Sequence, residues 1–180
     1  MKTLMTVPIA VTLESGQVAI MRFFVVGRGN LLPAGAQWHA TEPGVWVREP
    51  TDAVVIEEVL RAFPLADDHG NPLPKATGWR RIAEADVPAD RDYRDALVDR
   101  GIGSLEHDMA RAREIHRGLL RHERAPKLAE LDVAQLRAME AGEDGAAIAR
   151  EKQRLRDVTA HPAIEAATSI EELRAITLKE

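Results

Sequence analysis

The sequence contains no cysteine, few aromatic residues and no long apolar run. The absence of cysteine excludes disulfides and thiolate-based sites. Aromatic residues make up only 4% of the 180 residues, a composition typical of helices packed through aliphatic side chains rather than of an aromatic-rich β-sandwich. Because no run reaches about 18 apolar residues, no membrane-spanning helix is predicted. Thr6 and Pro8 interrupt the N-terminal apolar run and no cleavage site follows, so no secretory signal is predicted.

Charged residues are abundant, but they form no large basic surface. The net charge is −5, 29% of the residues are charged, and the two signs are interspersed, which argues against a nucleic-acid partner. One predicted helix does carry five arginines: Arg111, Arg113, Arg117, Arg121 and Arg124. Glu114 and Glu123 lie among them without aromatic residues, so a solvated or protein-binding face is favoured over a nucleic-acid face.

The first 63 residues predict a small antiparallel sheet with one helix. Two β-leaning runs, 3–13 and 18–26, flank the turn-prone segment 14–17 and predict a hairpin. Further short strands are expected near Trp38 and at 45–47. After Pro50, Thr51 or Asp52 can cap a helix that runs through Phe63. We expect such a sheet to leave its edges, and one face, open to a partner strand or a second copy.

The predicted fold class is α+β, with the sheet first and the helices after it. Turn formers without periodicity fill 64–78, which predicts a linker between an N-terminal unit (1–63) and a mainly helical C-terminal domain (79–180). A short strand at 79–82 and a short helix at 91–98 are expected to open the second domain.

The C-terminal domain is organised around an amphipathic stretch, 108–136. Asp108 can cap its first turn, and Pro126 predicts either a kink or a break with a second helix beginning there. A turn at 141–145 and a return helix at 146–158 predict a helical hairpin. Ser169 and Glu172 match a capping box for a last short helix. The predicted protein-binding seam comprises Ile115, Leu119, Arg117, Arg121, Leu128, Leu131 and Leu136.

No catalytic, cofactor-binding or metal-binding residues are predicted. The six histidines match no ligand spacing, and His116 and His122 are expected to be solvated or interfacial. The three serines lack a nucleophile-elbow frame, and the aspartates at 86–99 alternate with arginines, which favours a charge-paired surface over a calcium loop. A hydrolase using Asp and His side chains from 67–107, including His69 and His107, is kept as an alternative from another class.

Several uncommon strings follow one another in a fixed order. They read VREPTDAVVIEEVLRAF, ADVPADRDYRDALVD, HDMARAREIHRGLLR, RAPKLAELDVAQLRAMEAGE and EKQRLRDVTAHPAIEAATSIEELRAI. This order resembles a set of tail-region proteins of tailed bacteriophages and prophages, over about residues 45–176. Tyr93 stands where those proteins usually have Phe and Leu97 where Trp is frequent, and residues 1–44 lie outside the resemblance.

The resemblance implies a non-enzymatic tail-module protein that acts in tail or tail-fibre assembly. Its expected partners are other tail or fibre proteins, self-association is left open, and neither nucleic acid nor membrane is expected. Its expected location is the host cytoplasm during assembly, with the virion tail left open. The alternative is a structural virion component, a tail-fibre or baseplate attachment protein, that docks through the N-terminal sheet.

Overall fold

A computed structural model describes residues 7–28, 38–42, 45–63, 71–72 and 74–179. The chain has the predicted α+β class, with small antiparallel sheets first and a long helical region after them. The strands are β1 (Ile9–Leu13), β2 (Val18–Met21), β3 (Val25–Arg28), β4 (His39–Glu42), β5 (Val45–Arg48), β6 (Ala76–Arg81), β7 (Leu97–Val98) and β8 (Glu106–His107). The helices are α1 (Asp52–Ala62), α2 (Met109–Ala141), α3 (Ala146–Asp157), α4 (Pro162–Ala166) and α5 (Ile170–Ala175).

The chain divides into two compact units, and the boundary differs from the predicted one. Unit 1 comprises Met1–Ala89 and Leu97–Glu106, and unit 2 comprises Asp90–Ala96 and His107–Glu180. The predicted boundary at 64–78 is corrected because β6 pairs with β1 along its whole length and so belongs to unit 1. Residues 64–70 and 73 of the predicted linker lie outside the described residues.

Unit 1 contains two three-stranded sheets, ordered β2-β1-β6 and β3-β5-β4, with antiparallel pairing throughout. The predicted hairpin is confirmed for β1 and β2, and Gly16 takes the left-handed conformation in its turn (φ 77°). A single strand over 18–26 is wrong, because the run divides into β2 and β3, which belong to different sheets. The predicted strand at 79–82 begins earlier, at Ala76.

Strand β1 is covered on both faces, because successive side chains of a strand point to opposite sides. Ile9 and Val11 pack with Val55 and Val59 of α1, which occupy one helical face at a spacing of four. Ala10 packs with Val18, Ile82, Leu97 and Leu105 on the other face. The expectation that one face of this sheet is open is therefore wrong for β1.

The cap of α1 differs from the prediction. The helix begins at Asp52, but the side chain of Thr51 accepts no capping hydrogen bond. Asp52 instead forms an ion pair with Arg81 of β6, whose guanidinium also donates to the Pro50 carbonyl at 2.7 Å. This end of α1 is thus held by contacts to a residue distant in sequence and not by a side-chain cap.

Unit 2 is built on α2, a helix of 33 residues. The Asp108 carboxylate accepts hydrogen bonds from the amides of Ala110 (2.9 Å) and Arg111 (3.2 Å), as predicted. Of the two outcomes predicted at Pro126, a kink or a break, the break is excluded, because α2 continues through Pro126. Gly142 ends α2 in the left-handed conformation (φ 72°), and α3 returns from Ala146, which confirms the helical hairpin.

The C-terminal segments close the core of unit 2. Ile164 of α4, Leu173 of α5 and Leu178 are almost fully buried with Leu120 of α2 and Leu155 of α3. The Ser169 hydroxyl accepts from the Glu172 amide at 3.2 Å, and the Glu172 carboxylate accepts from the Thr168 amide at 2.6 Å. The first half of the predicted capping box is confirmed, and the second half reaches one residue further back.

The predicted helix at 91–98 is wrong. The backbone forms a 3₁₀ turn at Arg94–Ala96 and then the short strand β7, which pairs with β8. Tyr93 and Ala96 are buried in the core of unit 2, a spacing of three that a single 3₁₀ turn satisfies. The next residue, Leu97, is buried in the core of unit 1.

Candidate protein-binding surface

The predicted seam of α2 is divided between two faces of the helix. Ile115, Leu128 and Leu131 pack against the core of unit 2, so they contact the chain's own C-terminal segments. Leu119 and Leu136 are 40% and 57% exposed. The spacing of apolar residues correctly indicated an amphipathic helix, but it did not separate residues that pack internally from residues that remain accessible.

Five exposed apolar residues of α2 and one histidine form a stripe with regular spacing. All of its members are exposed, and we call this set the outer stripe: Leu119, His122, Pro126, Ala129, Val133 and Leu136. With 3.6 residues per turn, its centre lies about 110° around the helix from the core-facing side defined by Ala112, His116 and Leu120. Met139, 68% exposed, lies near its C-terminal end. Helix α2 therefore carries apolar residues on two different sides.

Sequence reasoning missed Val133 and Met139, which are 49% and 68% exposed. The signal was present for Val133, because the outer stripe alternates steps of three and four residues without interruption from Leu119. That spacing was obscured by the leucines of the core-facing side, which fall between its members.

The arginines of α2 mostly bind the chain's own backbone and acids. Arg117 is paired with Glu114 and Glu165, and only 16% of its side chain is exposed. Arg113 donates to the Ala167 carbonyl at 2.9 Å, and Arg124 donates to the Leu155 and Arg156 carbonyls at 3.1 and 2.7 Å. The predicted role of Arg117 in an external protein-binding seam is corrected, since its guanidinium is engaged within unit 2. Arg121 is exposed.

His116 occupies the core, contrary to the expectation of a solvated or interfacial side chain. It is 5% exposed, its Nδ1 lies 2.8 Å from the Tyr93 hydroxyl, and its Nε2 lies 3.1 Å from the Ile176 carbonyl. Because a carbonyl only accepts, Nε2 must carry the proton, and Nδ1 accepts from Tyr93. Burial lowers the pKa of His116, and the hydrogen bond to Ile176 opposes this only in part. The imidazole is therefore neutral and links α2 to the C-terminal segment.

Of the aspartates at 86–99, three pair with arginines, but Asp90 and Asp99 pair with arginines distant in sequence, only Asp95 pairs with a neighbour, and no α-helix carries the set. Arg80 and Asp99 approach to 2.8 Å with the Asp99 side chain only 7% exposed, and Arg80 lowers the pKa of that carboxyl. Arg174 pairs with Asp90, and Ser104 donates to Asp86 at 2.9 Å. These groups satisfy one another, so they do not converge on an empty space.

The polar groups around one open cleft are also largely engaged. The cleft has a volume of about 620 Å³ and lies at the C-terminal end of α3. Of its lining residues, Arg154 binds Glu151 and the Leu178 carbonyl, and Asp157 accepts from Gln153 at 2.8 Å. Among the described residues, no group of His, Asp and Glu side chains could hold a metal ion. His69 lies outside those residues.

None of the helices within the described ranges combines the length and the apolar character needed to cross a bilayer. Comparisons with models of protein families, with curated proteins and with solved structures gave no match to this chain.

Proposed function

We propose that this chain is a non-enzymatic bacteriophage tail-module protein that acts through protein–protein contacts in tail or tail-fibre assembly. The observation that carries the proposal is the outer stripe, which keeps Leu119, Val133 and Leu136 in solvent on a side of α2 distinct from its core-facing side. Contiguous exposed apolar residues on a rigid helix favour a protein partner, because water is then released from both surfaces. The tail-module assignment rests on the sequence resemblance.

The rest of unit 2 supports a binding role because it holds α2 rigidly. The core-facing side of the helix is fixed by a buried core and by arginines bound to the backbone carbonyls of Leu155, Arg156 and Ala167. A preformed helical surface loses little conformational entropy on binding, so a modest apolar area can still supply useful affinity.

The proposal is tested in the phage or prophage that carries the gene. Leu136→Glu places a charge in the outer stripe and is expected to lower the yield of infective particles. Leu60→Glu is the matched control, because Leu60 is a similarly exposed leucine on α1 (63% against 57%). An assembly protein is expected in infected cells and absent from purified virions. Normal yield with Leu136→Glu, from cells containing normal amounts of the variant, would refute the proposal.

A second candidate function is a structural virion component that docks through a sheet edge in unit 1. The observation that favours it is Val26, which lies on the edge strand β3 and is 54% exposed. Under this alternative the protein is present in virions at a fixed stoichiometry, and Val26→Glu abolishes its incorporation. Incorporation of Val26→Glu at the normal level would dismiss the alternative.

A further inference from the structure

The outer stripe has the heptad repeat of a coiled coil. Its steps alternate between three and four residues, an average of 3.5, whereas the core-facing residues Ala112, His116 and Leu120 are four apart. A repeat of 3.5 residues keeps the stripe facing a partner helix along its whole length when the two helices coil around each other. We propose that the outer stripe of α2 packs against the outer stripe of a second copy of this chain, with the two helices parallel. This inference rests on the proposal that the outer stripe binds protein.

The charges beside the stripe support a parallel second copy. One flank of the stripe comprises positions 118, 125 and 132, and the other comprises positions 123, 130 and 137. In a parallel pair, the first flank of each helix faces the second flank of the other helix. Asp132 therefore lies opposite Arg137 of the second copy. The exposed acids Glu123 and Glu130 then meet only uncharged residues, Gly118 and Ala125. Both Asp132–Arg137 contacts are attractive, and no like charges are opposed.

An antiparallel pair is disfavoured by the same side chains. In that arrangement each flank faces the same flank of the other copy, so Glu123 of one copy lies opposite Glu130 of the other. A shift by one heptad aligns Glu123 with Arg137 of the other copy, but it opposes Glu130 to Glu130 and leaves Leu119 without a stripe residue opposite it. Asp132 already pairs with Lys152 of its own chain at 2.6 Å, but its side chain is 62% exposed, so its carboxylate can also accept from Arg137 of the second copy.

The size of the stripe indicates weak association. At a rise of 1.5 Å per residue, the span from Leu119 to Leu136 is about 25 Å. A helix is only about 10 Å wide, so this strip is smaller than the roughly 800 Å² per partner of a typical stable interface. We therefore expect a dimer with a dissociation constant in the micromolar range, about 1–100 µM.

Sedimentation velocity over a concentration series tests the association with the full chain. The wild-type protein is expected to shift from monomer to dimer across this range. Leu136→Glu is expected to remain monomeric, whereas Leu60→Glu, which adds the same charge on α1, retains the wild-type behaviour. Helical circular dichroism of all three proteins checks that they are folded. A folded wild-type protein that stays monomeric up to about 1 mM overturns the proposal.

Cysteine cross-linking tests the orientation, because the chain has no cysteine of its own. In a parallel pair each stripe residue meets its own counterpart, so Leu136→Cys is expected to form a disulfide-linked dimer under mild oxidation. Leu60→Cys is the control and should give only background cross-linking. If Leu136→Cys cross-links only when mixed with Leu119→Cys, the helices are antiparallel and the parallel arrangement is refuted.

The two proposals fail in distinguishable ways. If the protein is monomeric and Leu136→Glu still lowers phage yield, the stripe binds a different protein, so self-association is refuted and the proposed function stands. If the protein dimerises through the stripe and Leu136→Glu leaves the yield normal, the dimer stands and the proposed function is refuted.

Discussion

Replacing His116 should reveal how far one buried imidazole controls the stability of unit 2. The ring donates to the Ile176 carbonyl and accepts from the Tyr93 hydroxyl, with 5% of the residue exposed. His116→Phe keeps an aromatic ring but leaves both partner groups without their hydrogen bond. Each buried group left unpaired costs about 1–3 kcal/mol, so the free energy of unfolding should fall by about 2–6 kcal/mol.

The Tyr93 hydroxyl provides the matched variant. Tyr93→Phe removes the hydrogen-bond donor to Nδ1 and should cost about 1–3 kcal/mol. In the double variant with His116→Phe, neither the hydroxyl nor the ring nitrogen remains, so the combined loss should be smaller than the sum of the two single losses. Additive losses would show that the Tyr93–His116 hydrogen bond does not contribute to stability.

The same histidine should make unit 2 sensitive to acid. The folded pKa of His116 lies below the unfolded value of about 6.5, so the unfolded chain binds more protons between these two values. Stability is therefore full above about pH 6.5 and falls as the pH drops towards the folded pKa, by at most about 1.4 kcal/mol per pH unit. Burial also lowers the pKa of His107, which contributes with the same sign.

Urea unfolding at several pH values between about 5 and 7.5 measures this effect. Helical circular dichroism reports mainly on unit 2, which contains α2, whereas the fluorescence of the three tryptophans reports on unit 1. The circular dichroism midpoint of the wild-type protein should fall more steeply with acid than that of His116→Phe. Equal slopes for the two proteins would refute the assignment of His116 as a buried neutral group.

Three further predictions follow from other contacts. Asp99→Ala should destabilise unit 1 by about 1.5–3 kcal/mol in tryptophan-detected urea unfolding, because the Arg80 guanidinium loses its carboxylate partner and keeps only its hydrogen bond to the Gly103 carbonyl. Because Arg80 lowers the pKa of Asp99, the pair contributes its full stabilisation of unit 1 above about pH 3.9, and this contribution is lost as the pH falls through the folded pKa. The stability of Asp99→Ala should not show this decrease. Gly142→Ala should cost about 1 kcal/mol of stability, because an L side chain is strained at φ 72°. Gly118→Ala should instead stabilise the protein by about 0.5–1 kcal/mol, because Gly118 lies inside α2 with open space around it. Thermal melting compares the two variants, and a change of the same sign in both would contradict this prediction. In urea unfolding, Leu173→Ala should cost about 2–5 kcal/mol and Leu136→Ala less than about 0.5 kcal/mol, because only Leu173 is buried. Equal losses would show that the burial pattern of unit 2 is incorrect.

The sequence by itself determined the local features of this protein. The Asp108 cap, the turn around Gly142 and the Ser169 cap depend on side chains within a few residues of the groups that they bind, so their spacing is visible in the sequence. The α+β class follows from the order of strand-like and helix-like periodicities in the same way.

Only the tertiary structure decided which faces are buried and which strands pair. Strand β6 pairs with β1, which lies more than 60 residues earlier in the chain. The composition of 64–78 predicted a linker there, and that prediction assigned the second half of β6 to the second domain instead of the first. His116 became a core residue because Tyr93 and Ile176, distant in sequence, supply its hydrogen bonds. Helix α2 has apolar residues on two sides, and periodicity alone cannot say which side the remainder of the chain covers. The side of α2 that is covered is set by contacts between segments far apart in the chain, and these contacts leave the outer stripe in solvent.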